Sequence, residues 1–327
     1  MAVPSNYPTF AFIGCGQVGS RHLQALALLQ EPVNITVVDS AESALTRAME
    51  RFGEVGGDVE RLELLTELPS NRHYDLAIFA SNADIRFSLL KGLAACNSVK
   101  NILFEKVLFQ KVEDLREAQS ILELNGISAW VNCPRRFIEG YRQIKHCIDT
   151  GMPITVEVRG TDFGLASNAI HFIDLFAFLV GTEWFESWQY DFEESVRPAR
   201  RAGCFEVFGK ISINHGPHKF VMECVHQDDI ERIEVCIANE VKVFRINEIE
   251  ERIHFTDKVS GEERHEIFHI PLQSQVTQHH AKSIVTSGQC LLPTFRQSGV
   301  LHERILSMFQ TFLAAQGVDT SHGCPIT

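Results

Sequence analysis

The spacing of hydrophobic positions changes near residue 125. Before it, short apolar runs alternate with amphipathic runs whose apolar residues recur every three or four positions. The apolar runs predict buried strands, and the amphipathic spacing predicts helices. The predicted strands cover residues 9–14, 34–39, 74–81 and 100–106, and the predicted helices cover residues 20–30, 41–53, 85–96 and 111–124. Strands that alternate with helices indicate an α/β Rossmann arrangement, a doubly wound parallel sheet.

After residue 125 the pattern is mainly one of strands. A strand is predicted over 127–133, and from about residue 154 β-prone runs such as ITVEVRGTDF and CFEVFGKISIN follow one another through short, turn-like connections. Helices are predicted over 168–181 and about 297–316. We therefore predict an N-terminal α/β domain over residues 1–125 and an α+β domain with a large, mostly antiparallel open sheet over residues 126–327.

The first strand runs into a glycine-rich turn, GCGQVG, which fits the pattern G-x-G-x-x-G. Gly14 permits a tight turn, Gly16 lets the backbone approach a pyrophosphate, and Gly19 lets the helix pack closely on the strand. Gln17 and Val18 lie in the turn before the predicted helix, whose free N–H groups and dipole favour an anion. The alternative is a corner that serves packing alone. Because a strand precedes the loop and a helix follows it, we favour dinucleotide binding and assign these five residues to the cofactor.

Asp39 ends the second predicted strand, close to the spacing at which Rossmann domains place an acid. Its carboxylate can accept hydrogen bonds from the adenosine ribose hydroxyls and would repel a 2′-phosphate. Ser40 follows, with no arginine beside it. The sequence therefore predicts NAD rather than NADP. Asp39 could also cap the next helix, and the two roles are compatible.

Composition narrows the range of partners. The chain has 327 residues and a formal net charge of −12, so nucleic acid or an anionic membrane surface would repel it, and we predict neither as a partner. The nine cysteines are scattered without a C-x-x-C pair, which is typical of reduced thiols in a cytoplasmic protein. The N-terminus lacks a basic region followed by a long apolar segment, so no signal peptide is expected.

Several segments resemble the glucose–fructose oxidoreductase and inositol dehydrogenase family (Gfo/Idh/MocA). His22 follows the glycine loop as in that family, and FASNADIRF at 79–87 is similar to its A-T-P-N-like strand end, with Arg86 where a histidine is usual. FEKV at 104–107 is similar to the family's E-K-P signature, and Val107 replaces the proline that fixes the local backbone geometry. The resemblance implies cofactor contacts from four further residues: Ser81, Asn82, Glu105 and Lys106.

The resemblance continues into the second domain. CPRRF at 133–137 is similar to the family's segment that enters this domain, and NAIHFIDLFAFLVG at 168–181 is similar to its active-site helix, with the pattern D-x-x-x-H-x-x-D. His171 and Asp174 match that pattern, whereas its first acid falls at Ser167. Members of the family oxidise or reduce sugars, sugar nucleotides and polyols with NAD(P), and their open sheet often forms the oligomer interface. The resemblance therefore implies a substrate-binding and oligomerisation domain and a homodimer or homotetramer.

Hydride transfer to nicotinamide requires a base and a held substrate. Lys106 ends a parallel strand and could stabilise an alkoxide or relay its proton; a solvated lysine is the alternative. His171 lies near a helix start, where the dipole favours a neutral imidazole, and Asp174 could orient it; a buried core histidine is the alternative. We predict Lys106, His171 and Asp174 as catalytic. Arg136, Asn168 and His171 are the predicted substrate contacts, although Arg136 could instead form an ion pair.

HEIFH at 265–269 matches the zinc motif H-E-x-x-H, which requires a helix. The segment follows the turn-like VSGEE, precedes Pro271 and pairs plausibly with IHFTDKV as a hairpin. On a strand, His265 and His269 would lie roughly 13 Å apart, too far to share a metal. We predict no metal site.

The leading hypothesis is an NAD-dependent oxidoreductase that acts on a sugar, sugar nucleotide or polyol. A second hypothesis is a non-catalytic regulator that keeps the Rossmann fold and senses a dinucleotide, because the first helix acid and the signature proline are replaced. A third is a lyase that uses tightly held NAD without net redox change.

Overall fold

A computed structural model describes residues 7–148 and 151–327, which divide into two compact units. One contains the chain up to Asn132 together with Pro271–Arg296, and the other contains Cys133–Ile270 and Gln297–Thr327. The predicted boundary at residue 125 therefore separates from the first unit two segments that belong to it, the strand after that boundary and the later segment Pro271–Arg296. The segment Pro271–Arg296 completes the first unit although it lies far along the chain, and no local sequence pattern indicates this.

The strands of the first unit are β1 (Thr9–Ile13), β2 (Asn34–Val38), β3 (Leu62–Leu65), β4 (His73–Tyr74), β5 (Leu76–Phe79), β6 (Ser98–Val99), β7 (Asn101–Phe104) and β8 (Ser128–Val131). Those of the second unit are β9 (Thr155–Thr161), β10 (Ser187–Pro198), β11 (Phe205–His215), β12 (His218–Val225), β13 (Arg232–Ala238), β14 (Lys242–Asn247), β15 (Arg252–Asp257) and β16 (Glu263–Ile267). The helices are α1 (Gln17–Leu26), α2 (Glu42–Glu54), α3 (Ala83–Cys96), α4 (Val112–Leu124), α5 (Glu139–Cys147), α6 (Leu165–Val180), α7 (Gln273–Ser287) and α8 (Phe295–Ala315).

The first unit is built on a six-stranded parallel sheet in the order β3-β2-β1-β5-β7-β8. β1, β5 and β7 are buried along nearly their whole length, as strands covered by helices on both faces must be. Because all six strands run the same way, the loops that follow them meet at one edge of the sheet. The predicted Rossmann arrangement is confirmed.

The second unit is built on an eight-stranded sheet in the order β10-β11-β12-β9-β13-β14-β15-β16. Only the β9–β12 pair is parallel within it. The buried helix α6 packs on β11 and β12. The predicted large, mostly antiparallel sheet is confirmed.

Some elements escaped the hydrophobic pattern. β3 is an edge strand whose residues are half-buried or exposed, so it lacks the apolar run of its neighbours. α5 and α7 are short amphipathic helices whose polar residues obscure the apolar spacing. Among residues 7–148 and 151–327, none of the helices combines the length and the hydropathy that crossing a bilayer requires.

Candidate functional site

The glycine loop after β1 has the geometry that its sequence predicts. Gly14 has φ of +89°, and a Cβ on it would lie 2.5 Å from the Ser81 amide nitrogen. A Cβ on Gly19 would lie 2.0 Å from the Gly14 carbonyl oxygen. Any side chain at either position would therefore force apart α1, β1 and the end of β5. A Cβ on Gly16 would meet nothing within 4 Å, so the backbone is open to a ligand there.

The N-terminus of α1 faces outward from this loop. Gly16 is the N-cap and offers no side chain to the first turn. Gly16, Gln17 and Val18 are exposed, and Val18 leaves 46% of its surface open although it is apolar. The N–H groups of a first helical turn lack acceptors within the helix and attract anions. The loop is thus suited to hold a phosphate group.

Asp39 closes the loop from the neighbouring strand. Its Oδ2 accepts a hydrogen bond from the Cys15 amide at 2.8 Å, and its Oδ1 accepts one from the Ala41 amide at 2.9 Å. Each carboxylate oxygen can accept a further bond. Burial, together with the Asp39 charge, raises the pKa of the Cys15 thiol to about 12, so Cys15 stays protonated. The two predicted roles of Asp39, cofactor contact and helix capping, stay compatible. Its carboxylate holds the loop and the start of α2, and each oxygen keeps a lone pair for a further hydrogen bond.

Ser81 and Asn82 follow β5 at the same sheet edge. Ser81 is 8% exposed, and its hydroxyl has no hydrogen-bond partner among the residues that the structure describes. Asn82 is exposed and serves as the N-cap of α3, without a capping bond from its side chain. Their predicted contact with a cofactor stays a prediction.

Glu105 ends β7 and is buried in the protein, with 8% of its surface exposed. Its Oε1 lies 2.7 Å from His22 Nε2 and also accepts a hydrogen bond from the Asn132 amide, and its Oε2 accepts one from the Lys106 backbone N–H at 3.2 Å. Burial alone would raise the pKa of Glu105, but the bond from His22 and the other donors lower it below the ordinary value. Glu105 is therefore an internal anchor, and its predicted contact with the cofactor stays a prediction.

Arg86 explains how the segment after β7 is held without the signature proline. The peptide bond between Lys106 and Val107 is cis. Arg86 is 2% exposed, and its guanidinium donates to main-chain carbonyls after both β5 and β7. The acceptors are the carbonyls of Ser81, Glu105, Val107 and Leu108. The residue that departs from the family pattern thus braces the segment that carries Lys106, which is half-buried.

In the second unit, α6 carries His171 and Asp174. Asp174 is fully buried, and both its oxygens accept hydrogen bonds from Arg136, each at 2.7 Å. Burial raises the pKa of Asp174 to about 6, although Arg136 and Arg135 oppose the rise. His171 is half-buried on the same helix. Orientation of His171 by Asp174 stays a prediction; the partner that the structure gives Asp174 is Arg136.

Arg136 is therefore the ion-pairing residue that the sequence left as an alternative, and its predicted contact with substrate stays a prediction. Arg135 behaves similarly: it pairs with Glu248 at 2.9 and 2.5 Å and stacks on the Phe172 ring at 3.8 Å. Such bidentate pairs hold the 3-10 turn Pro134–Arg136 against the unit.

The N-terminus of α6 contains a carboxylate that the sequence did not single out. Glu206, on β11, accepts hydrogen bonds from the amides of Ala166 at 3.0 Å and Ser167 at 3.4 Å. The Asn168 side chain donates to the Phe163 carbonyl at 2.6 Å. An acid thus lies beside Ser167, where the helix pattern lacks one, but it comes from a different strand. Local spacing carries no signal for such a contact.

The first three residues of the HEIFH segment, 265–267, lie in a strand, as predicted. β16 contains His265 and pairs antiparallel with β15, and the rings of His254 and His265 stack at 4.2 Å. His269 lies beyond β16, with Nδ1 3.3 Å from Glu251. Ligand atoms of Asp162, His226 and Asp229 lie within 4.8 Å of one another, but the Asp162 carboxylate already binds His226 Nδ1 at 2.6 Å and the Gln227 amide at 2.8 Å. We assign no metal to this cluster.

The two units, one with a six-stranded parallel sheet and one with a large, mostly antiparallel sheet, make up a fold that is shared with solved structures of oxidoreductases. No protein-family model matches the sequence, and no curated protein is a detectable relative. Similar solved structures include an oxidoreductase from Agrobacterium radiobacter in complex with NAD+, L-tartaric acid and magnesium, with 14% identity, a TM-score of 0.70, and coverage of 91% of this chain and 95% of that chain.

A dehydrogenase from Chromobacterium violaceum has 14% identity and a TM-score of 0.71, over 97% of this chain and 98% of that chain. The transcriptional regulator Gal80p from Kluyveromyces lactis has 13% identity and a TM-score of 0.70, over 96% of this chain and 95% of that chain. Enzymes and a regulator share this fold, so the fold by itself does not distinguish between the two roles.

Proposed function

We propose that the protein is an NAD-dependent oxidoreductase that transfers a hydride between nicotinamide and a hydroxyl or ketone of a sugar, sugar nucleotide or polyol. The observation that carries the proposal is the glycine loop, open at Gly16 and braced by Asp39. A structural neighbour with the same fold is in complex with NAD+. Localisation in the cytoplasm and a sugar-like substrate belong to the same proposal.

The residues of the loop fit a dinucleotide. Gly16 leaves space where a pyrophosphate would approach, and the exposed first turn at Gln17 and Val18 presents free N–H groups. Asp39 keeps lone pairs for the ribose hydroxyls. When bound, NAD would supply the hydride acceptor.

Proton transfer is assigned to this chain's own residues. Lys106 would stabilise or deprotonate the substrate oxygen, and His171 would act as the neutral base. Asp174 would remain paired with Arg136, whose positive charge opposes its own. Asn168, His171 and Arg136 would contact the substrate. Because Asp174 pairs with Arg136, we assign it an indirect role. His171 would then act without help from either acid of the helix pattern.

Cofactor binding tests the first half of the proposal. NAD should bind more tightly than NADP to the wild type, and Asp39→Ala should narrow the gap. Asp39→Asn is the matched control, because it keeps an acceptor for the Cys15 amide but removes the charge that repels a 2′-phosphate. Isothermal titration with both cofactors measures the difference. Tighter binding of NADP than of NAD to the wild type would contradict the assignment of NAD as the cofactor.

Turnover tests the second half. A panel of sugars, amino sugars, polyols and sugar nucleotides should include a substrate. With that substrate, Lys106→Ala and His171→Ala should each lower kcat by about 100- to 10,000-fold and leave the affinity for NAD nearly unchanged. Asn168→Ala should mainly raise KM. Full turnover in His171→Ala would remove this residue from the mechanism.

A regulator that senses the dinucleotide is the second candidate, favoured by Ser167 in place of the first helix acid. It predicts tight NAD binding without turnover of any panel member. A lyase with tightly held NAD predicts instead that the cofactor co-purifies and that product forms without net reduction of bulk NAD. Product formation without reduction of bulk NAD separates the lyase from the regulator.

Self-association completes the proposal, as a homodimer or homotetramer. Apolar side chains remain exposed in the second unit, including Trp184 at 55% and Ile267 at 84%. Light scattering that gives a monomer at every concentration would contradict it.

A further inference from the structure

A buried hydrogen-bond network lies behind the end of β7, within the first unit. It joins the Glu105 carboxylate to α1, to the residue after β8 and to α7. Its other members are His22, Asn132, Gln273 and Thr277. We infer that His22 is a positioning residue for Lys106, which it holds in place through Glu105. The inference rests on the proposed role of Lys106.

The carboxylate dictates how the two amides are oriented. An ionised Glu105 can only accept, so Asn132 must turn its NH2 group toward it. The same NH2 group lies 2.9 Å from Gln273 Oε1, which accepts its second hydrogen. Gln273 must then turn its own NH2 group the other way, where it donates to Thr277 Oγ1 at 2.8 Å.

The amides in turn select the tautomer of His22. The Gln273 NH2 group lies 3.3 Å from His22 Nδ1, and Thr277 Oγ1 lies 2.9 Å from it. The ionised carboxylate can only accept, so the ring nitrogen that faces it, Nε2, carries a proton and donates it to Glu105 at 2.7 Å. The Gln273 NH2 group beside Nδ1 can only donate, which favours Nδ1 as the accepting nitrogen of the ring. Each ring nitrogen of His22 is thereby engaged.

The consequence reaches Lys106 through the backbone. Glu105 Oε2 accepts the Lys106 amide N–H at 3.2 Å, and Arg86 donates to the Glu105 carbonyl at 2.6 Å. A carboxylate that rotated would give up some of its three N–H donors, and one that took up a proton would accept from them more weakly, so the network favours the ionised form in one orientation. His22 is completely buried. Among the contacts that lower the pKa of Glu105, its hydrogen bond has the largest effect.

Several charged or titratable groups face Glu105. His22 comes from α1, Lys106 follows on β7's own strand end, and Arg86 comes from α3. His280, one turn beyond Thr277 on α7, is 2% exposed, and burial lowers its pKa to about 3, so it stays neutral across the useful pH range. Burial raises the pKa of Glu105 and the bond from His22 lowers it, so the pKa of Glu105 should rise when His22 is removed.

The test follows the Lys106 amine directly. The lysines of the full-length protein are 13C-methylated, and the Lys106 signal, assigned by its loss in Lys106→Arg, is titrated by NMR. In the wild type we expect the amine's own titration only. In His22→Leu we expect a second inflection, about 1–3 pH units above the wild-type Glu105 pKa, because the charge of the newly titrating carboxyl interacts with that of Lys106 and its oxygen holds the Lys106 backbone N–H. kcat should gain the same acid limb while KM for NAD changes little.

His22→Gln should move the inflection back down, because it restores an N–H donor. His280→Gln is the matched control: it removes an equally buried histidine near the network and should add no inflection. Absence of the inflection in folded His22→Leu overturns the inference. If that variant does not fold, Thr277→Val, which removes one donor to Nδ1, must show a smaller inflection or the inference fails.

The NMR titration separates this inference from the proposed function. If the wild type turns over no panel substrate but the His22 variants move the Lys106 titration, the network stands and the oxidoreductase proposal falls. If turnover is found and neither the NMR titration nor the acid limb of kcat responds to His22, the proposal stands and the inference falls.

Discussion

The two units each bury one carboxylate near their candidate functional residues, and they keep it in opposite ways. Glu105, in the first unit, accepts N–H bonds from a histidine, an amide and the backbone. Asp174, in the second, accepts two bonds from the single guanidinium of Arg136. The pKa of Glu105 is lowered, whereas burial raises that of Asp174 to about 6.

The difference shows that, at these two sites, several donors and charges from different elements offset the burial of a carboxylate more than one bidentate cation does. Burial penalises the charged form at both sites. At Glu105, fixed donors from several elements outweigh that penalty. At Asp174, fully enclosed by α6 and its neighbours, one flexible cation does not. Glu105 is thus suited to hold a constant charge, and Asp174 titrates near neutrality.

The largest expected effect comes from breaking the pair in the second unit. Arg136→Met leaves Asp174 buried without its bidentate partner and should destabilise that unit by about 3–5 kcal/mol. Hydrogen exchange of the α6 amides in urea measures this unit by itself. Arg136→Met with Asp174→Leu should recover most of the loss, since apolar groups often replace a buried ion pair at little cost. A single variant that costs less than about 1 kcal/mol would show that the pair is dispensable.

The pH dependence should have opposite signs at the two sites. The folded pKa of Asp174, about 6, exceeds its ordinary value of 3.8, so its stabilising contribution is present at low pH and is lost as the pH rises through 6. Relative to Asp174→Asn, the wild type should therefore lose about 2 kcal/mol between pH 4 and pH 7. Unfolding of both proteins across that range measures the difference. A constant gap between them would contradict the raised pKa.

Glu105→Gln should act in the opposite direction. The folded pKa of Glu105 is lowered, so its contribution is present above its ordinary value of 4.5 and is lost as the pH falls through the folded pKa. The variant turns one acceptor into a donor that faces other donors, which should cost about 1–3 kcal/mol at pH 7. The gap to wild type, from unfolding of the first unit, should shrink on acidification. A gap that widens would mean that Glu105 is protonated in the folded protein.

The smallest effect tests whether the outer members of the network matter. Thr277→Val removes the hydroxyl beside His22 Nδ1 but keeps the shape of the side chain, and should cost about 1 kcal/mol. Thr286→Val, on the exposed face of the same helix, is the matched control and should be nearly neutral. Thermal unfolding compares the two. Equal effects would show that the cost arises from helix propensity alone.

Much of the first unit was predictable because its signals are local. The apolar runs of β1, β5 and β7, the glycines of the loop and Asp39 lie within short stretches whose spacing has direct physical meaning. β3 and α5 were missed because they are short, with four and nine residues, and bury few side chains. The two compact units differ from the division predicted at residue 125, because Pro271–Arg296, which follows the whole second sheet in the chain, belongs to the first unit.

The sequence by itself determined most of the elements and the place of the tight glycine turn, since periodicity and glycine geometry act over a few residues. Only the tertiary structure decided which donors reach each buried carboxylate. Thr277 and His22 are 255 positions apart, and Arg136 and Asp174 are 38 apart. Such partners are selected by the packing of distant elements, and a buried charge depends on the geometry of its donors rather than on the residues beside it in the chain.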